Sequence, residues 1–154
     1  MRLYLVRHGE ARSSEEDPEK RLSPKGLADV EKVAALLRPR GIAVEAIWHS
    51  GKTRAAETAE VLAEAVTARQ GVVQWPGLEP NDPVAPILND LQRVGGDLMI
   101  VGHLPLLSRL ASKLVTGDEV TLRLAFGAAT AVCIERDLEV GWRLVWMVSP
   151  EVLA

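Results

Sequence analysis

The chain has one cysteine, Cys133, among its 154 residues. That excludes an internal disulfide and any metal cluster built on several thiolates. Positive charge is not in excess either: 18 Lys and Arg stand against 21 Asp and Glu, for a net charge of -3. General nucleic-acid binding needs a basic face, so no nucleic-acid partner is expected, although a small local anion site remains allowed. No apolar run is long enough to span a bilayer, so no membrane association is expected. Arg7 and His8 break the first apolar stretch early, which does not read as a signal peptide, and a cytoplasmic location follows as the expectation. Repeats, low-complexity tracts and linker-like segments are all missing. What remains is 47% hydrophobic and 25% charged, the composition of one globular domain over residues 1–154.

Apolar periodicity sets out the elements. Residues 2–6 read as a buried strand, followed by a polar loop over 10–22. "SPKGLADVEKVAALLRPRG" reads as a helix capped by Ser23, opened by Pro24 and closed by Gly41, with Leu27, Val30, Ala34 and Leu37 on one face. "VEAIWHS" (44–50) is a second strand. "KTRAAETAEVLAEAVTAR" is a second helix beginning near Lys52, and "PNDPVAPILNDLQRV" a third, with Asp82 as its cap and Pro83 as its opening residue. "DLMIVGH" (97–103) is nearly all apolar, as a central strand covered on both faces should be. A fourth helix ends at Gly117, and two strands around Gly141 form a closing hairpin. Strands alternating with helices predict an α/β fold: a three-layer α/β/α sandwich, its sheet mainly parallel, with an antiparallel C-terminal hairpin.

Ligands bind such sheets at the carboxyl ends of the strands. There the sequence places Arg7-His8, His49-Ser50 and Gly102-His103, so all three histidines of the chain fall at one edge. Gly9 lets the backbone after His8 turn and approach a ligand. Arg7 offers a guanidinium suited to bidentate phosphate binding. Arg54 lies in the first turn of the second helix, where a cation opposes the helix dipole; a bound anion shared with that helix end would explain it. Ser50 reads first as a cap and second as a phosphate donor. A zinc site on the three histidines is disfavoured, because Arg7 and Arg54 would repel the ion and no carboxylate or cysteine stands at ligand spacing.

"RHG" after the first strand, "S-x-x-x-R-A-x-x-T" at Ser50–Thr58, "L-S-x-x-G" at Leu22–Gly26 and "GH" at 102–103 together resemble the histidine phosphatase, or phosphoglycerate-mutase-like, superfamily. The short length, "VGHLPLL" and the closing "WMVSPEVL" are most similar to its SixA-type protein-phosphohistidine phosphatases. The resemblance implies His8 as the nucleophile, with Arg7, Arg54 and His103 completing the phosphate pocket and no metal or other cofactor. It implies a phosphohistidine intermediate and, as partner, a phosphorylated carrier or signalling protein. Gly9, Arg21, Ser50 and Glu79 are the expected substrate contacts. Glu79, in "WPGLEPNDP", is also the candidate for the general acid that larger relatives carry in this region. No inserted cap subdomain is expected over the site. The alternatives are a small-molecule phosphomonoesterase of the same superfamily and a non-catalytic phosphate-binding adaptor.

Overall fold

Successive side chains on a strand point to opposite faces, and here both sets are apolar along the central strands. The computed structural model describes residues 1–154. In chain order its elements are β1 (Arg2–Arg7), α1 (Pro24–Leu37), β2 (Ala43–Val44), β3 (Ile47–His49), α2 (Thr53–Ala63), β4 (Thr67–Ala68), β5 (Val72–Gln74), α3 (Val84–Leu91), β6 (Leu98–Gly102), α4 (Leu106–Thr116), β7 (Ala131–Asp137) and β8 (Gly141–Val148). Six strands form one sheet in the order β5-β3-β6-β1-β7-β8; β2 and β4 pair separately. The first four strands of that order run parallel, and β7 and β8 join antiparallel.

Tyr4, Val6, Ile47, Met99 and Val101 pack against α1 and α2 on one face. Leu3, Leu5, Trp48, Leu98 and Ile100 pack against α3 and α4 on the other. This is the expected α/β/α sandwich, with β6 and β1 at its centre. Cys133 lies in the first core, where burial pushes its thiol up to about 11 and leaves it inert.

Several boundaries differ from the sequence reading. The second helix stops at Ala63, because Val66 and Thr67 are β-branched and the chain then turns left-handed at Gly71. The freed residues include β4 instead of a longer helix, and the edge strand β5 follows in a stretch to which the sequence reading gave no element. Residues 44–50 do not form one strand: Val44 pairs with β4, and only Ile47–His49 joins the main sheet. Leu27 is exposed, and Val33 takes the core place expected for it. Asp82 does not cap α3; its carboxylate accepts the Glu79 amide at 2.8 Å, closing a tight turn before the helix. Ser23 does cap α1, accepting the Gly26 amide at 3.0 Å.

Gly26 is also where α1 meets the segment after β1. A Cβ at Gly26 would lie 2.0 Å from the Glu10 carbonyl oxygen, a backbone atom that cannot swing away. At Gly9 a Cβ would meet Val30 at 2.8 Å and the Gly26 oxygen at 2.9 Å. The two glycines let helix and loop touch backbone to backbone. Gly26→Ala gains about 1 kcal/mol of helix propensity but must displace the loop, and overpacking of this kind costs about 1–3 kcal/mol. The expected outcome in chemical denaturation is a lowered midpoint; a raised midpoint would show that the contact does not constrain the loop.

Candidate active site

β1 delivers its last residues to the carboxyl edge of the sheet through fixed main-chain bonds. The Arg7 amide donates to the Thr130 oxygen and the His8 amide to the Gly102 oxygen, both at 3.1 Å. The Ala129 amide donates to the carbonyl oxygens of Arg7 and His8 at 3.1 Å. The backbone at this position is therefore held from both neighbouring strands.

The side chain of His8 is oriented just as firmly. Its Nδ1 lies 2.7 Å from the Gly9 carbonyl oxygen. A carbonyl only accepts, so Nδ1 carries the proton and Nε2 holds the lone pair. Gly9 is in turn anchored by Thr58, whose Oγ1 accepts the Gly9 amide at 3.1 Å and donates to the Arg54 carbonyl oxygen at 2.8 Å. Thr58 is fully buried and links the loop after β1 to the first turn of α2. It stands in the quoted Ser50–Thr58 pattern, but its side chain bonds to residue 9 only through the tertiary fold. Phe126 is a second contributor without a local signal: its carbonyl oxygen accepts from the Arg7 guanidinium at 3.0 Å.

His103 follows β6, buried, with its ring centroid 4.9 Å from that of His8. Its Nε2 is 2.6 Å from Ser50 Oγ. Ser50 therefore neither caps α2 nor stands as a free phosphate donor; Lys52 occupies the capping position, and the Ser50 hydroxyl is committed to His103. Arg54 sits in the first turn of α2 and makes no ion pair and no side-chain hydrogen bond within the chain. The Nε of Arg7 is buried without a partner. Two guanidiniums with unused donors thus flank two histidines.

Electrostatics follow from that crowding. Burial pushes His8 down to about 4, and the charges of Arg54, Arg7 and Lys20 push the same way against its bond to Gly9. Burial also lowers His103 to about 3, helped by His8, Arg54, Lys52 and Arg7. Both rings are neutral at pH 7 in a positive surrounding. Such a place takes an anion.

Three of the expected contacts, and the third histidine of the strand edge, have partners within the chain. The Gly9 amide is used by Thr58, so Gly9 shapes the loop and does not bind through that group. Arg21 is exposed and engaged by Glu19 at 2.9 Å and Asp17 at 3.7 Å, and it is Lys20, at a left-handed φ of 53°, whose charge reaches His8. Glu79 is exposed on the rim, paired with Lys52 at 3.1 Å. His49 ends β3 but its Nδ1 accepts the Gly51 amide at 3.0 Å, and it takes no part in the His8–His103 cluster. A cavity of about 450 Å³ lies elsewhere, beside the stacked rings of Trp48 and Trp75. No histidine, serine or cysteine lines it.

Comparison with known proteins identifies the family and the fold. An uncharacterized protein of Picosynechococcus sp. is 33% identical, over 81% of this chain and 81% of that protein. Among solved structures, the protein histidine phosphatase SixA complexed with tungstate superposes with a TM-score of 0.82 at 22% identity, covering 97% of both chains. Mycobacterial glucosyl-3-phosphoglycerate phosphatase in complex with VO3 superposes with a TM-score of 0.67 at 20% identity, covering 94% of this chain and 98% of that one. The family model of the histidine phosphatase superfamily, branch 1, matches residues 3–80, just over half of the sequence and the part that holds Arg7, His8, Ser50 and Arg54. The chain belongs to the histidine phosphatase superfamily and is a phosphatase of that family.

Proposed function

We propose that the protein removes phosphate from phosphohistidine carried on another protein, through a covalent intermediate on His8 and without a metal ion. The observation that carries the proposal is the His8–Gly9 bond, which leaves Nε2 bare on a ring held in the field of Arg54 and Arg7. In the first step the Nε2 lone pair attacks phosphorus. The P–N bond to the substrate imidazole breaks, its electron pair returns to that ring nitrogen, and a proton from solvent completes the released histidine. Water then attacks phospho-His8, giving inorganic phosphate and the free ring, while the proton stays on Nδ1, donated to the Gly9 carbonyl oxygen, throughout.

Transition-state charge on the equatorial oxygens needs fixed positive partners. Arg7 and Arg54 have the unused donors for it, and they supply the field that a divalent cation supplies in other phosphoryl transfers. Lys20 adds to that field. A labile P–N bond does not require a strong general acid, which suits a site whose rim carboxylate, Glu79, is already paired with Lys52. Both segments flanking the site, residues 10–22 and 75–83, are turns and loops without a helix of their own. An open rim of this kind suits a histidine presented by a folded partner. The likeness to SixA supports the same substrate class.

Phosphate release should be followed with a phosphohistidine-bearing protein and with simple phosphate monoesters, in chelator. The protein substrate is expected to turn over faster, and His8→Ala to lower the rate by about a thousandfold or more. Faster turnover of monoesters would identify a small-molecule phosphatase, and binding without release by the wild type would identify an adaptor. The pH profile makes a separate prediction. With His8 lowered to about 4, kcat/KM should hold down to that region and fall only as Nε2 gains its proton below it. An acid limb near 6.5, after correction for the substrate's own ionisation, would contradict a buried neutral nucleophile.

A further inference from the structure

Ser50 lies one residue beyond β3 and His103 one residue beyond β6, on adjacent parallel strands. Both are buried, and Ser50 Oγ stands 2.6 Å from His103 Nε2. The other ring nitrogen, Nδ1, is one of three buried side-chain polar atoms in the molecule that lack a partner; Arg7 Nε at the same site is another.

The protons at this pair can be assigned by counting. Ser50 Oγ accepts the Lys52 amide at 3.3 Å, which uses a lone pair and leaves the hydroxyl proton to be placed. The only acceptor within reach of that proton is His103 Nε2. If Ser50 donates there, the neutral ring carries its own proton on Nδ1, and one buried donor is left over. If instead Nε2–H donates to Oγ, both the serine proton and the Nδ1 lone pair are left without partners. Buried polar groups are rarely unpaired, so the first arrangement is the stable one.

We infer that Ser50 is a positioning residue, whose hydroxyl holds His103 as the neutral Nδ1–H tautomer and so presents an unmet N–H donor, not a lone pair, beside His8. The use of that donor rests on the phosphatase reading: an equatorial phosphoryl oxygen supplies the missing acceptor. A lone pair at the same place would repel that oxygen. The neutral state agrees with the crowding of cations around the ring.

The test is ring-nitrogen NMR on the uniformly 15N-labelled full chain, free of ligand, read together with turnover of the phosphohistidine protein. In wild type the Nδ1 of His103 should resonate as a protonated nitrogen and Nε2 as an unprotonated one. Ser50→Ala should shift the ring to the Nε2–H form or to an exchange average. It should lower kcat by about tenfold to a hundredfold, the cost of an unpaired buried group, with less change in KM. Ser50→Thr, which keeps the hydroxyl, should restore both the spectrum and the rate. A wild-type His103 protonated on Nε2 would overturn the assignment without any variant having to fold. So would Ser50→Ala with the tautomer and kcat of wild type. The Nδ1–H form in a wild type that releases no phosphate would uphold the Ser50 pairing and overturn the phosphatase reading, so the two fail separately.

Discussion

The hydrogen bond from His8 Nδ1 to the Gly9 carbonyl oxygen is the constraint on which the site turns. It fixes which nitrogen of His8 keeps its lone pair and where it points. It also explains the investment around it. For the carbonyl to face the ring, the chain after β1 must bend sharply, and the bend is clamped by Thr58 on one side and by the backbone contact with Gly26 on the other. An L side chain at residue 9 or 26 would push those pieces apart. The helix α1 thus acts on the chemistry through two glycines that carry no functional group.

Charge is arranged with the same economy. Two guanidiniums beside neutral imidazoles would be a poor arrangement for stability alone, since burial and like charge both disfavour protonation of His8 and His103. The cost is tolerable because both rings stay neutral and each has one nitrogen fixed by the protein, His8 to a carbonyl and His103 to a hydroxyl. Two of the three buried polar atoms left unpaired, Arg7 Nε and His103 Nδ1, belong to this site and are a donor and a potential donor to an anion. Donors held in place before substrate arrives favour binding energy realised during phosphoryl transfer.

Much of this was legible in the sequence, and the failures share a cause. β1, β6, α1 and α4 are long or strongly apolar, so their period and caps identify them, and the strand-end rule then collects Arg7, His8, Arg54 and His103. β5 has three residues, too few for a period, and the two residues of β4 fall inside a helix-like pattern. Asp82 has the chemistry of a cap, but the Glu79 amide is nearer. Arg21 resembles a phosphate ligand by type, yet the left-handed turn at Lys20 leaves it with Glu19 and Asp17. The roles of Ser50 and Thr58 depend on partners 53 and 49 residues away, which no local pattern contains. Residue type and spacing found the edge; tertiary hydrogen bonds decided what each side chain there does.

The central claim is that Nε2 of His8 takes the phosphoryl group because Nδ1 is held by Gly9. The most direct measurement is rapid acid-free quenching during turnover, followed by 31P and 1H NMR of the trapped enzyme to identify the phosphorylated atom. Phosphate on Nε2 of His8 is the predicted result. A phosphoryl group on Nδ1, or on any other residue, would contradict the account.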